Sequence, residues 1–220
     1  MKQLLVRSVA LAVVLTGAFG TGVPAAAQNR GELNRQLLAA AKDDDSQALL
    51  AALRSGASVD ALSRIGDTPL ITACKNGNSA MARTLLEHDA SVRHASEPGV
   101  TPLMAAAYGG FDDIVALLLA HGADPLATDR VGKTAVEYAV GQGQTQVVAR
   151  LLDTGIDVNH AYKHDLTALM RAANYDRAET AQLLLARGAD RALQDKRGMT
   201  AKDIAMQMNS ARVAGLLAAG

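Results

Sequence analysis

Five histidines, one cysteine and one acidic run are the side chains of this 220-residue chain that could ligate a metal or attack a substrate. A metal site needs several ligands converging within about 2–2.3 Å of one point. His88 and His121 stand 33 residues apart in matching contexts, each just before a turn. On stacked helices about 8–10 Å apart their imidazoles could approach each other, but no acid or thiol is placed to complete a site. His94 is isolated, and His160 and His164, four apart, fall in a turn rather than on one helix face. Asp43, Asp44 and Asp45 together could attract a cation, yet consecutive residues at a helix junction point in different directions, which predicts a polar capping surface. Cys74 is alone, so no internal disulfide can form. It matches Ala107, Val140 and Ala173 at intervals of 33, so it reads as a small core residue rather than a reactive thiol. No glycine-rich phosphate loop follows a strand, and no nucleophile elbow is present. The expectation is no enzyme activity, no cofactor and no metal.

The interval of 33 is the organising feature. Gly66-Asp67-Thr68-Pro69-Leu70 recurs as Gly99-Val100-Thr101-Pro102-Leu103 and Gly132-Lys133-Thr134-Ala135-Val136, then as Asp165-Leu166-Thr167-Ala168-Leu169 and Gly198-Met199-Thr200-Ala201-Lys202. Leucine pairs at 85–86, 118–119, 151–152 and 184–185 keep the same period, and each precedes a turn. Thr68 and Thr101 are suitable N-caps before a proline whose missing amide would be unpaired in any case. Leu70, Ala73 and Cys74 fall on one helical face, as do Met81, Ala82, Leu85 and Leu86. One such helix pair cannot bury its apolar face alone, so stacking must supply the core.

These motifs resemble ankyrin repeats, with Gly-x-Thr-Pro-Leu at a first helix and Leu-Leu-x-x-Gly-Ala-Asp after a second. The resemblance spans about residues 33–217 and implies an all-α solenoid of stacked helix-turn-helix units with short hairpin tips. Departures are mild: Asp89 and Asp165 replace expected glycines, and Asp176 replaces the glycine between helices. Asp tolerates left-handed backbone, so each turn should survive. The expected organisation is a loose N-terminus over 28 to about 32, an opening capping repeat at 33–65, full repeats at 66–98, 99–131, 132–164 and 165–197, and a shortened closing repeat at 198–220.

Residues 1–27 lie outside the pattern. Lys2 and Arg7, an apolar run from Ser8 to Phe19, and Ala25-Ala26-Ala27 read as a signal peptide cleaved to leave Gln28 first. The run is too short for an ordinary membrane span. The leader looks bacterial, so the expected location is the periplasm, with secretion the lesser alternative. Over the whole chain 22 basic residues balance 22 acidic ones, and loss of Lys2 and Arg7 leaves about −2. That balance points away from nucleic acid and membrane surfaces.

The resemblance further implies that a partner protein contacts the turn tips and the exposed side of each first helix, which line a concave groove. The candidate protein-binding residues are Arg64, Lys75, Asn76, Tyr108, Arg130, Lys133, Gln142, Lys163, His164, Asn174, Tyr175, Lys196 and Arg197. Across these tip and helix positions, seven cations face two carboxylates, Asp67 and Glu97, an excess of about +5. An acidic partner surface is therefore expected, with Tyr108 and Tyr175 as aromatic anchors. The chain is expected to be a monomer that serves as a non-enzymatic interaction module of the bacterial envelope. The alternative is a secreted effector that binds a host protein.

Overall fold

The computed structural model describes residues 25–218, and the greater part of the expected leader lies outside them. Among the described residues there are twelve α-helices and no strand. The helices are α1 (Ala25–Lys42), α2 (Ser46–Arg54), α3 (Pro69–Asn76), α4 (Ser79–Glu87), α5 (Pro102–Gly109), α6 (Asp112–Ala120), α7 (Ala135–Gln142), α8 (Thr145–Leu152), α9 (Ala168–Asn174), α10 (Ala178–Ala186), α11 (Ala201–Gln207) and α12 (Ala211–Ala218). Helix α1 already includes residues 28–32, expected to be loose; Glu32 accepts hydrogen bonds from Arg35 and Gln36 one turn on.

The helices form two layers. In the inner layer α1 packs on α3, α3 on α5, α5 on α7, α7 on α9 and α9 on α11. In the outer layer α4, α6, α8, α10 and α12 follow one another in the same way. The core between them takes one set of side chains per unit, including fully buried Leu70, Cys74, Met81 and Leu85, then Leu103, Ala107, Ile114 and Leu118. Burial pushes the Cys74 thiol far above its ordinary value, as a buried core residue requires.

Each inner helix from α3 onward starts the same way. The hydroxyls of Thr68, Thr101, Thr134, Thr167 and Thr200 all accept a hydrogen bond from the backbone N–H three residues on. Asp89, Asp165 and Asp176, in place of glycines, adopt φ of 62°, 59° and 51°, so aspartate sustains the left-handed turns. Ahead of each threonine a tight tip is closed by a backbone hydrogen bond, at Ser63–Asp67, Ser96–Val100, Asp129–Lys133, Tyr162–Leu166 and Asp195–Met199. Neighbouring tips are tied by single bonds, from Glu97 N–H to the Ile65 carbonyl, Arg130 N–H to Pro98 and Lys196 N–H to His164, each 3.1 Å. At the remaining junction the Lys163 ammonium donates to the Val131 carbonyl at 3.0 Å.

Candidate protein-binding face

The residues singled out from the sequence lie along one side of the stack, on the tips and the C-terminal ends of the inner helices. Arg64, Lys75, Asn76, Tyr108, Arg130, Gln142, Lys163, His164, Tyr175, Lys196 and Arg197 are exposed, and Lys133 and Asn174 are half-buried. The stacking that aligns successive tips and helix ends places them there.

Their charges fall into two groups. Lys75 is held by Asp67 at 2.5 Å, and Arg197 by Asp195 at 2.7 Å; both carboxylates are buried. Arg64, Arg130, Lys133, Lys163 and Lys196 form no ion pair among the described residues. Sequence counting also omitted charges beneath and between the tips. With Asp129, Glu137, Asp165, Asp195 and Arg171 included, eight cations meet six carboxylates, and the net excess falls to +2. The accessible unpaired groups remain mainly cationic, because Asp129 and Asp195 are buried, Glu137 is buried against Arg171, and only Glu97 and Asp165 are exposed.

The centre of the face is aromatic. Tyr108 and Tyr175 are 53% and 45% exposed, high values for rings of this size. Between them lies Tyr138, which the sequence reading passed over. The Tyr108 and Tyr138 rings meet edge to face at 6.1 Å, and the Lys133 ammonium lies 5.6 Å from the Tyr138 ring centre, within cation–π range. Gly141, near the end of α7, has no side chain; a β-carbon there would lie 3.6 Å from the Tyr175 ring. The Tyr138 hydroxyl donates to Asp129 Oδ2 at 2.6 Å. Burial and this hydrogen bond push Tyr138 up to about 12. Asp129 is pulled both ways: burial raises it, but the Tyr138 hydroxyl and the N–H groups of Lys133, Val131 and Gly132 outweigh burial and hold it below the usual carboxylate range. Asp129 thus braces its tip and pins the Tyr138 ring.

Beneath the tyrosines lies a buried ion pair that links two repeats. Arg171 on α9 donates to Glu137 on α7. The other Glu137 oxygen accepts from the Thr134 N–H at 2.9 Å, completing a capping box. The Glu137 side chain is 1% exposed and that of Arg171 13%. Tyr162 is buried beside them, and burial above all raises its hydroxyl pKa.

The candidate metal ligands are scattered. His88 and His121 donate from Nδ1 to the Thr84 and Leu117 carbonyls at 2.8 Å, closing the ends of α4 and α6. His160 packs edge-on against Tyr162 at 4.7 Å, and His164 sits on a tip with φ of 64°. Asp45 caps α2, and Asp44 accepts from Asn78 at 2.8 Å. Among the described residues no group of three or more His, Cys, Asp or Glu could hold a metal ion, and no helix is long and apolar enough to cross a membrane.

A family model for ankyrin repeats (3 copies) matches residues 37–129 and again 99–162, and one for ankyrin repeats (many copies) matches residues 151–205. No curated protein matches the chain.

Proposed function

Because this chain belongs to the ankyrin-repeat family, whose members are generally protein-interaction modules, we propose that it captures a partner protein on the face formed by its tips and inner helices, without chemistry. The observation that carries this reading is the pair of exposed tyrosines, Tyr108 and Tyr175, set among cations that form no ion pair among the described residues. Large rings held at the centre of a face and rimmed by charge are what dominate binding energy at protein interfaces. The cations favour a partner whose contact surface carries carboxylates, and they would speed encounter and fix orientation more than they raise affinity.

The place of action in this reading is the bacterial envelope. Lys2, Arg7, the apolar run over 8–19 and the alanines at 25–27 support export and cleavage after Ala27. Fractionation with N-terminal sequencing tests it: a periplasmic chain starting at Gln28 is expected. A chain found in the medium would favour an effector role, and one retaining residues 1–27 in the cytoplasm would discard export.

The binding face is tested by charge reversal. Arg130→Glu, Lys133→Glu and Lys163→Glu are combined in one protein, which is used beside the unaltered one to capture partners from envelope extract. Loss of capture with helical content retained supports the reading. Unchanged capture at low salt, where such charges act most strongly, discards the basic face.

A further inference from the structure

The centre of this face has a more specific character than a generally basic surface. Three of the four tyrosines lie within two repeats of one another, on α5, on α7 and just after α9. Their setting is preorganised. The Tyr138 hydroxyl is committed to Asp129, and its ring to an edge-to-face contact with Tyr108 and to the Lys133 ammonium. Tyr175 follows α9 beside Gly141, which leaves the space next to its ring open. Rings fixed in this way lose little conformational freedom when a ligand arrives. Around them, Arg130, Lys133 and Lys163 lie on two adjacent tips without ion pairs among the described residues, whereas Lys75 and Arg197 toward the two ends are neutralised by Asp67 and Asp195.

We infer that the row Tyr108, Tyr138 and Tyr175, with Lys133 over the Tyr138 ring and Lys163 on the adjacent tip, is a receptor for a short extended segment of a partner protein in which an aromatic or large aliphatic side chain is flanked by carboxylates. The inference rests on the protein-binding role proposed above and gives that role a ligand. The apolar side chain lies against one of the two exposed rings, Tyr108 or Tyr175, and the extended segment runs across Tyr138 toward the other. The flanking carboxylates reach the ammonium groups of the tips. Two helix spacings of about 8–10 Å separate α5 from α9. That distance of about 16–20 Å is roughly six residues of extended chain at ~3.3 Å each. A basic segment is rejected by Lys133 and Lys163, and a purely acidic one leaves the exposed rings uncovered. Of the exposed tip carboxylates, Glu97 lies on the preceding tip and Asp165 on the tip of Lys163, so the favourable positions for partner acids centre on Arg130 and Lys133.

The chain supplies its own reporter. It has no tryptophan, and the one tyrosine outside the cluster, Tyr162, is buried, so tyrosine emission reports mainly on the cluster. The purified protein is first panned against a random displayed-peptide library. Enriched sequences without Tyr or Trp are then synthesised and titrated while tyrosine emission is followed. The expected enrichment is for Asp or Glu on both sides of one Phe, Leu, Ile or Met. Replacing that apolar residue by Gly, or the acids by Lys, should weaken binding at least about tenfold, and Tyr108→Ala with Tyr175→Ala should do the same. Lys133→Gln, with helical content checked by circular dichroism, should weaken the acidic peptides more than their neutral versions. Enrichment of basic or featureless sequences, no enrichment at all, or peptides indifferent to the tyrosine substitutions would overturn the inference. Pull-down from envelope extract separates the two levels. If the charge-reversed protein loses its partner while no peptide binds, protein capture stands and the segment receptor falls. If both fail, both fall.

Discussion

The Glu137–Arg171 pair gives the sharpest stability experiment. The pair spans two repeats in a stack whose other units fill the same positions with different residues. Glu137 occupies the column of Ile71, Met104, Met170 and Asp203, and Arg171 that of Thr72, Ala105, Tyr138 and Ile204. Glu137→Met alone removes the carboxylate and leaves the Arg171 guanidinium, with only 13% of its side chain exposed, without its partner. It also deprives the Thr134 N–H of its acceptor. Breaking a buried pair from one side costs about 3–5 kcal/mol, and the residual exposure of Arg171 puts the expected loss near 3 kcal/mol. Adding Arg171→Ile, the residue of the closing repeat, removes the stranded charge. Replacing both partners of a buried pair with apolar residues is commonly neutral, or stabilising by about 1–4 kcal/mol, against which the lost cap weighs about 1 kcal/mol. The double variant should therefore recover at least about 2 kcal/mol of the single variant's loss. Urea denaturation followed by helical circular dichroism reads the order of midpoints: the double variant close to the unaltered protein, the single variant well below. A double variant that unfolds with the single one would refute the reasoning, since the cost would then lie in the lost cap and packing rather than in a stranded charge.

Leu118→Ala, in a central repeat at 0% exposure, should cost about 2–5 kcal/mol. Leu217→Ala in α12, whose unit packs among the described residues on the preceding unit's α9 and α10, should cost clearly less; equal losses in urea would count against a nearest-neighbour stack. On the outer layer the hydrogen-bonded Arg150 guanidinium, at 2.6 and 2.5 Å, holds Asp112 below the usual carboxylate range despite partial burial. A depressed folded value means that the pair's contribution is present above the unfolded value of about 3.9 and is lost as pH falls through the folded one. Arg150→Met should therefore lower stability at neutral pH and narrow the gap to the unaltered protein below about pH 4, measured by thermal melts across pH. Gly141→Ala should stabilise by about 0.5–1 kcal/mol, because Gly141 is helical and the added methyl meets the Tyr175 ring at an ordinary 3.6 Å. Gly109→Ala should instead destabilise by about 1–3 kcal/mol, because its methyl would fall 2.2 Å from the Phe111 ring, and a pair of thermal melts checks the opposite signs.

The parts of the fold readable in the sequence were those repeated in every unit. Thr68 and its four counterparts cap helices, Asp89, Asp165 and Asp176 hold left-handed turns, and the Leu85 and Leu118 columns are buried, because each follows from local geometry that recurs every 33 residues. What escaped was particular to one unit. Glu137 and Arg171 pass as surface charges until they are set against the other full repeats, where the same positions hold the uncharged Ile71, Met104 and Met170, and Thr72, Ala105 and Tyr138. Tyr138 sits in a column that begins with Thr72 and Ala105, so it did not read as part of an aromatic face. The braces at Ser63, Ser96, Asp129 and Asp195 occupy one column, but their chemistry changes from hydroxyl to carboxylate and the fifth member is Tyr162. The same omission inflated the basic excess. Asp129 and Asp195 point back into their own tips, and counting only outward positions left them out. Pairing is a three-dimensional property, so nothing in the sequence separated Lys75 and Arg197, which are neutralised, from Lys133 and Lys163.

Hydrogen exchange of the protein, alone and with the partner captured from envelope extract, tests most directly whether the tips and inner helices form the binding face. Slowed exchange confined to the tips around Arg130, Lys133 and Lys163 and to α5, α7 and α9 is the expected result. Slowing confined to the outer helices α6, α8 and α10, with the tips unchanged, would contradict it.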